Sequence, residues 1–100
     1  MYICFAEYRI MPEHKEHYLK KINDWRDELG HRVNIYEGTD QPGLFVEVWQ
    51  AESEEMAEQI KKERLDGRSL WGEITPWIAG GAAKLHVWTF RPVAGDWKQS

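Results

Sequence analysis

Tyr8, His14, His17 and Tyr18 place two phenols and two imidazoles in one short stretch of chain. An imidazole changes charge near neutral pH and suits a general base, while a phenol O–H can orient or stabilise an oxyanion. Around them lies an excess of aromatic surface: Trp25, Trp49, Trp71, Trp77, Trp88 and Trp97 make six tryptophans in 100 residues. Each large aromatic removes roughly 150–250 Å² from water when buried, whereas a domain of this size hides only about 60% of its unfolded surface or a little more. A second copy or a ligand is therefore expected to cover what one subunit cannot. No metal site is expected. Glu13, His14 and His17 are close in sequence, and the i, i+3 pair His14 and His17 shares a helix face, but the ligand set of a metal site is not completed nearby.

The composition bounds the rest. Apolar residues make up 42% and charged residues 30% of the chain, which fits one globular domain with one modest core. The formal net charge of −4, with positive and negative residues interspersed, argues against nucleic acid and anionic membranes as partners. The apolar runs are far shorter than the roughly 18 residues a spanning helix needs, and the N-terminus lacks a signal-peptide layout. A cytoplasmic protein is expected. The single cysteine, Cys4, can form no internal disulfide and reads as a small buried hydrophobe.

These groups must be held by regular elements. The β-branched and aromatic run from Tyr2 to Ile10 reads as a strand that ends at Met11-Pro12. Pro12, Glu13 and Glu16 suit a helix start, and Tyr18, Ile22, Trp25 and Leu29 follow at helical spacing, with His14 one turn ahead of Tyr18. Helix one is thus expected over 12–29, capped by Gly30. Two strand-like runs, 32–37 and 44–49, flank a turn-rich loop and make a hairpin. Ser53 is an N-cap for a second helix whose stripe is Met56, Ala57, Ile60 and Arg64; Gly67 should end or kink it. A second helical piece carries Leu70, Trp71, Ile74, Trp77 and Ile78, with Pro76 liable to cut it short. The run 85–90 is the last strand. Residues 1–92 form the domain, and 93–100 are a polar tail.

The order β-α-β-β-α-β predicts an α+β, ferredoxin-like fold with a four-stranded antiparallel sheet and its helices on one face. Alternation assigns Cys4, Ala6, Tyr8, Val46, Val48, Leu85 and Val87 to the helix side. The other side then holds Ile3, Phe5, Glu7, Arg9, Phe45, Glu47, Trp49, His86, Trp88 and Phe90. So large an apolar patch usually marks an interaction surface. A homodimer is expected, with Phe5, Phe45, Glu47, Trp49, His86, Trp88 and Phe90 at the interface, Glu7, Arg9, Glu47 and His86 forming ion pairs within or around it, and Trp97 latched onto the partner.

Three sequence features carry a family resemblance: Ala6-Glu7-Tyr8-Arg9 near the end of the first strand, Val48-Trp49 before a Ser- and Glu-rich helix start, and Ile74-Thr75-Pro76-Trp77-Ile78 before the last strand. Together with the topology over residues 1–92, they resemble the dimeric α+β barrel superfamily, most closely its antibiotic-biosynthesis-monooxygenase branch, which includes small heme-degrading enzymes. The resemblance implies two sheets packed face to face, Tyr8 facing a pocket between sheet and helices, and Trp71 as the counterpart of a helical tryptophan. Heme-degrading members have Asn where Tyr8 stands and a ligating His on the second helical region, whereas residues 53–79 contain Trp71 and Trp77 but no His. No cofactor is therefore assigned, with heme binding or degradation kept as an alternative.

Other members of the branch oxidise polycyclic aromatic substrates without metal or flavin. The functional expectation is cofactor-independent oxidation of a small aromatic or quinol-like molecule. Its pocket would be walled by Tyr8, Tyr18, Trp25, Trp71 and Trp77, with Tyr8 as hydrogen-bond donor and His14 or His17 as base. The alternative is that these residues fill the core of a non-catalytic dimer, a small-ligand-binding or assembly module, with His14 a partly exposed first-turn residue.

Overall fold

The computed structural model describes residues 1–30, 32–67 and 70–95. Trp97 and most of the polar tail lie outside the described residues. Strand β1 (Tyr2–Arg9) runs up the middle of an antiparallel sheet of order β2-β3-β1-β4, with β2 at Val33–Glu37, β3 at Leu44–Ala51 and β4 at His86–Phe90. This is the expected α+β, ferredoxin-like arrangement. Among the described residues no helix is long and apolar enough to cross a membrane.

The helical segments are more broken than periodicity suggests. Pro12–His14 forms a 3₁₀ turn, α1 covers Lys15–Asp24, and α2 covers Arg26–Leu29. The break at Trp25 is slight, because the Trp25 N–H still reaches the Lys21 carbonyl and the Leu29 N–H reaches that of Trp25. One face of this rod buries Tyr18, Trp25 and Leu29, with Ile22 partly covered. Helix α3 spans Glu54–Asp66, with the Ser53 hydroxyl accepting the Met56 N–H at 3.1 Å. It buries Ala57, Ile60 and Arg64, while Met56, expected on the stripe, points to solvent.

Beyond α3, the expected helical piece is two short 3₁₀ turns, Leu70–Glu73 and Thr75–Trp77. Pro76 has no N–H to continue a helix. Gly72 packs so closely onto the end of α3 that a Cβ there would lie 2.2 Å from the Gly67 carbonyl oxygen. The chain then returns along β1, with Ala79 N–H bonded to the Arg9 carbonyl and Met11 N–H to that of Trp77. Trp71, Ile74 and Ile78 are thereby pressed into the core.

The register corrects one sequence expectation. Cys4 pairs with Trp49, Ala6 with Glu47 and Tyr8 with Phe45. Paired residues share a face, so Phe45, Glu47 and Trp49 lie under the helices, and all three are buried within one subunit. Val46 and Val48 instead join Phe5, Glu7, His86, Trp88 and Phe90 on the open face. Both alternating sets of β3 are largely apolar, and small aliphatic groups such as Val46 and Val48 suit helix packing as well as the larger set does. The protein buries Glu47 because other side chains supply it with donors.

Candidate functional site

Glu47 is the centre of the helix-covered face. It is fully buried, and each of its oxygens accepts two hydrogen bonds. Oε1 receives Trp49 Nε1–H at 2.9 Å and Arg64 Nε–H at 2.7 Å. Oε2 receives the Arg64 Nη2–H at 2.8 Å and the Tyr8 hydroxyl. A carboxylate offers about four lone-pair positions, so this one is saturated. That is how an acid survives in a core: buried charge must be both paired and hydrogen-bonded.

The saturation fixes the direction of the phenol chain. The single Tyr8 proton goes to Glu47, so Tyr8 Oη accepts from the Tyr18 hydroxyl 2.8 Å away. Protons therefore point Tyr18 to Tyr8 to Glu47. Burial, then the nearby Glu47 charge, pushes the Tyr8 hydroxyl well above its usual range, and burial does the same for Tyr18. Both phenols stay protonated. Burial alone pulls the Arg64 guanidinium down, but attraction to Glu47 and its hydrogen bonds outweigh this and hold it above the ordinary value. Burial, reinforced by Glu47, pushes the Cys4 thiol up to about 11, so Cys4 is not a nucleophile at neutral pH.

Aromatic rings enclose this network. Arg64 lies 4.3 Å over the Trp71 ring, and Trp71 meets Trp49 and Trp25 edge-on at centroid separations of 5.7 and 5.2 Å. Between α2, β3 and α3 a cavity of about 230 Å³ opens onto this layer. Its walls are Trp49, Trp71, Arg64, Ile60 and Leu29, and its rim carries Glu28, Arg32 and Glu63. The Arg32 guanidinium lies 5.6 Å over the Trp49 ring.

The expected site residues thus fall into two groups. Tyr8, Tyr18, Trp25 and Trp71 belong to one connected layer. His14 and Trp77 form a second: their rings stack at 6.1 Å and His17 lies beside both. The His14 Nδ1 atom is buried there without a hydrogen-bond partner among the described residues. Of the five residues expected to wall a pocket only Trp71 lines the cavity; Tyr8, Tyr18, Trp25 and Trp77 do not. Sequence reasoning missed Glu47, Trp49 and Arg64 as members of the layer. The signal was present in Arg64, a cation on the apolar stripe of α3, because a buried arginine needs a buried acid opposite it.

No family model and no curated protein matches the sequence. Solved structures do match. A protein from Deinococcus radiodurans described as a candidate antibiotic biosynthesis monooxygenase superposes with a TM-score of 0.71 at 12% identity, covering 96% of both chains. An antibiotic biosynthesis monooxygenase follows at 0.67 and 16% identity, covering 94% of this chain and 100% of that one. This chain shares their α+β, ferredoxin-like fold. A protein from Agrobacterium tumefaciens is similar at 0.62 and 20% identity, over 93% of this chain and 94% of its own. At these identities the likeness establishes the monooxygenase-like fold, and the chemistry has to be argued from the side chains.

Proposed function

We propose that this chain works as a homodimer and binds a small phenol- or quinol-type molecule in the cavity beside Trp49, Trp71 and Arg64, where molecular oxygen oxidises it without a bound metal or flavin. The observation that carries this reading is the cavity wall itself: two indoles flanking a guanidinium held by Glu47. Indole faces suit a flat apolar ring, and a guanidinium suits the oxyanion the ring must become before it reacts with oxygen. Glu47 takes two of the five N–H donors of Arg64, so the fork has capacity beyond its internal partner. The volume is below the roughly 300–1,000 Å³ of sites for drug-sized ligands, which favours a ligand of one or two rings.

The reaction balances without an external reductant: a phenol plus dioxygen gives a quinone plus water, one oxygen atom entering the ring and the other leaving reduced. Glu47 is too fully occupied to act as base. The rim carboxylates Glu28 and Glu63 are the acceptors the cavity offers for the phenol proton. Tyr8 fixes Glu47, and through it Arg64, as a positioning residue. The monooxygenase-like fold supports the reading by analogy. A dimer is supported by the open sheet face, where Phe5 lies 6.0 and 6.2 Å from the rings of Trp88 and Phe90, two exposed apolar groups.

Oxygen uptake with a panel of phenols and hydroquinones tests the proposal. Uptake that falls in Arg64→Lys and Trp71→Leu but persists in His14→Ala supports it. No uptake with any substrate refutes the oxidation. Binding without uptake favours the second reading, a non-catalytic ligand-binding dimer, which the complete burial of Tyr8, Tyr18 and Glu47 also suits.

A further inference from the structure

We infer that the aromatic layer is a one-electron relay that carries an oxidising equivalent from the cavity wall to Tyr8, where it comes to rest as a neutral tyrosyl radical. The path is continuous. Trp25 touches Trp71 at 5.2 Å between centroids, Trp71 touches Trp49 at 5.7 Å, and Trp49 is joined to Tyr8 through the two oxygens of Glu47. Indoles and phenols are the most easily oxidised uncharged side chains, and neighbouring rings exchange electrons readily at such separations.

The electrostatics give the path a direction. Each of the three indoles has a cation over its ring: Lys21 over Trp25 at 5.9 Å, the buried Arg64 over Trp71 at 4.3 Å and Arg32 over Trp49 at 5.6 Å. A positive neighbour disfavours an indole radical cation, so the hole is not trapped there. Tyr8 also has a cation over its ring, Arg64 at 5.9 Å, but its O–H is directed at a carboxylate, so it can shed its proton as it loses the electron and become an uncharged radical that a cation does not disfavour. Loss of an electron turns a phenol into a very strong acid, so even a carboxylate paired with arginine accepts the proton. The balanced step is oxidant plus Tyr8–OH plus Glu47 carboxylate, giving reduced oxidant, the Tyr8 phenoxyl radical and Glu47 carboxylic acid. Tyr18, donating to Tyr8 Oη, stabilises the phenoxyl oxygen. In the protein the oxidant is a one-electron-oxidised aromatic species in the cavity. For that oxidant the relay rests on the cavity reading above, whereas the path itself is tested with an external oxidant.

The test uses photogenerated ruthenium(III) tris(bipyridine) as the one-electron oxidant, with transient absorption and freeze-quench electron paramagnetic resonance. In a Tyr2→Phe/Tyr36→Phe background only Tyr8 and Tyr18 remain as tyrosines. The expected result is a tryptophan radical that decays into a tyrosyl radical, more slowly in D₂O because a proton moves with the electron. Adding Tyr8→Phe abolishes the tyrosyl signal and prolongs the tryptophan radical several-fold, whereas adding Tyr18→Phe keeps the signal. Trp49→Phe, which removes the indole hydrogen-bonded to Glu47 and with it the last step of the path, cuts the tyrosyl yield several-fold. No tyrosyl radical in the background protein, an undiminished yield in the Tyr8→Phe variant, or equal rates in H₂O and D₂O would overturn the relay. The isotope comparison holds even where a variant folds poorly.

Discussion

The two faces of the sheet both carry large aromatic side chains and use them oppositely. Under the helices, polar atoms of Tyr8, Tyr18, Glu47, Trp49 and Arg64 are buried and joined in one hydrogen-bonded set. On the open face, Trp88 is 44% and Phe90 49% exposed, with Tyr36 at 56% on the outer side of edge strand β2. Buried polarity demands satisfaction inside one subunit, while exposed apolar surface demands a cover from outside. The covered face is therefore suited to holding a reactive geometry, and the open face to holding a partner.

Breaking the covered face should have the largest effect. Glu47→Leu leaves Arg64 buried without its anion, which typically costs about 3–5 kcal/mol. Urea unfolding should show a loss of that size, and the double variant Glu47→Leu/Arg64→Met should recover part of it. A loss below about 1 kcal/mol would mean that the network is slack. Next comes the open face. Trp88→Glu should leave the subunit folded by circular dichroism but weaken self-association by about 2 kcal/mol or more, roughly thirtyfold in Kd. Light scattering across a concentration series reads this directly, and an unchanged dimer would remove Trp88 from the interface.

Smaller effects sharpen the contrast. Tyr8→Phe removes a donor to a charged acceptor and should cost about 1–3 kcal/mol. The phenols also set an alkaline limit. Their folded values lie above the unfolded value of about 10, so the native state holds more protons above that pH and stability falls as pH rises further. Urea midpoints should begin to decline above about pH 9, where the buried Cys4 thiol contributes, and more steeply above about pH 10, and Tyr8→Phe should soften the steeper part. The smallest effect is chemical: with its thiol raised to about 11, Cys4 should react with iodoacetamide at pH 8 far more slowly in the native than in the unfolded protein.

Much of this was legible in the sequence because period and punctuation agree. The order of elements follows from the alternation in β1 and the helical spacing of Tyr18, Ile22, Trp25 and Leu29. Ser53 and Gly67 sit where they bound α3. The phase of β3 was not legible from its own residues, since Leu44-Phe45-Val46-Glu47-Val48-Trp49 is apolar in both alternating sets. Only a partner from elsewhere in the chain, Arg64, decides which set is buried. The grouping of Tyr8 with Tyr18, and of Trp25 with Trp71, followed from their stripes. The separation of His14 and Trp77 from that layer did not, because it depends on Pro76 ending the helical piece and on the return of the chain along β1. A saturated carboxylate is likewise a property of packing, invisible in spacing.

The division of labour between the faces is tested most directly by the tryptophan side-chain N–H resonances in a proton–nitrogen NMR spectrum, followed as a small hydroquinone is added under anaerobic conditions. The account predicts that the Trp49 and Trp71 indoles shift in step with binding while Trp88, on the open face, and Trp77, in the histidine cluster, stay in place. Movement of Trp88 with Trp49 and Trp71 unmoved would contradict it.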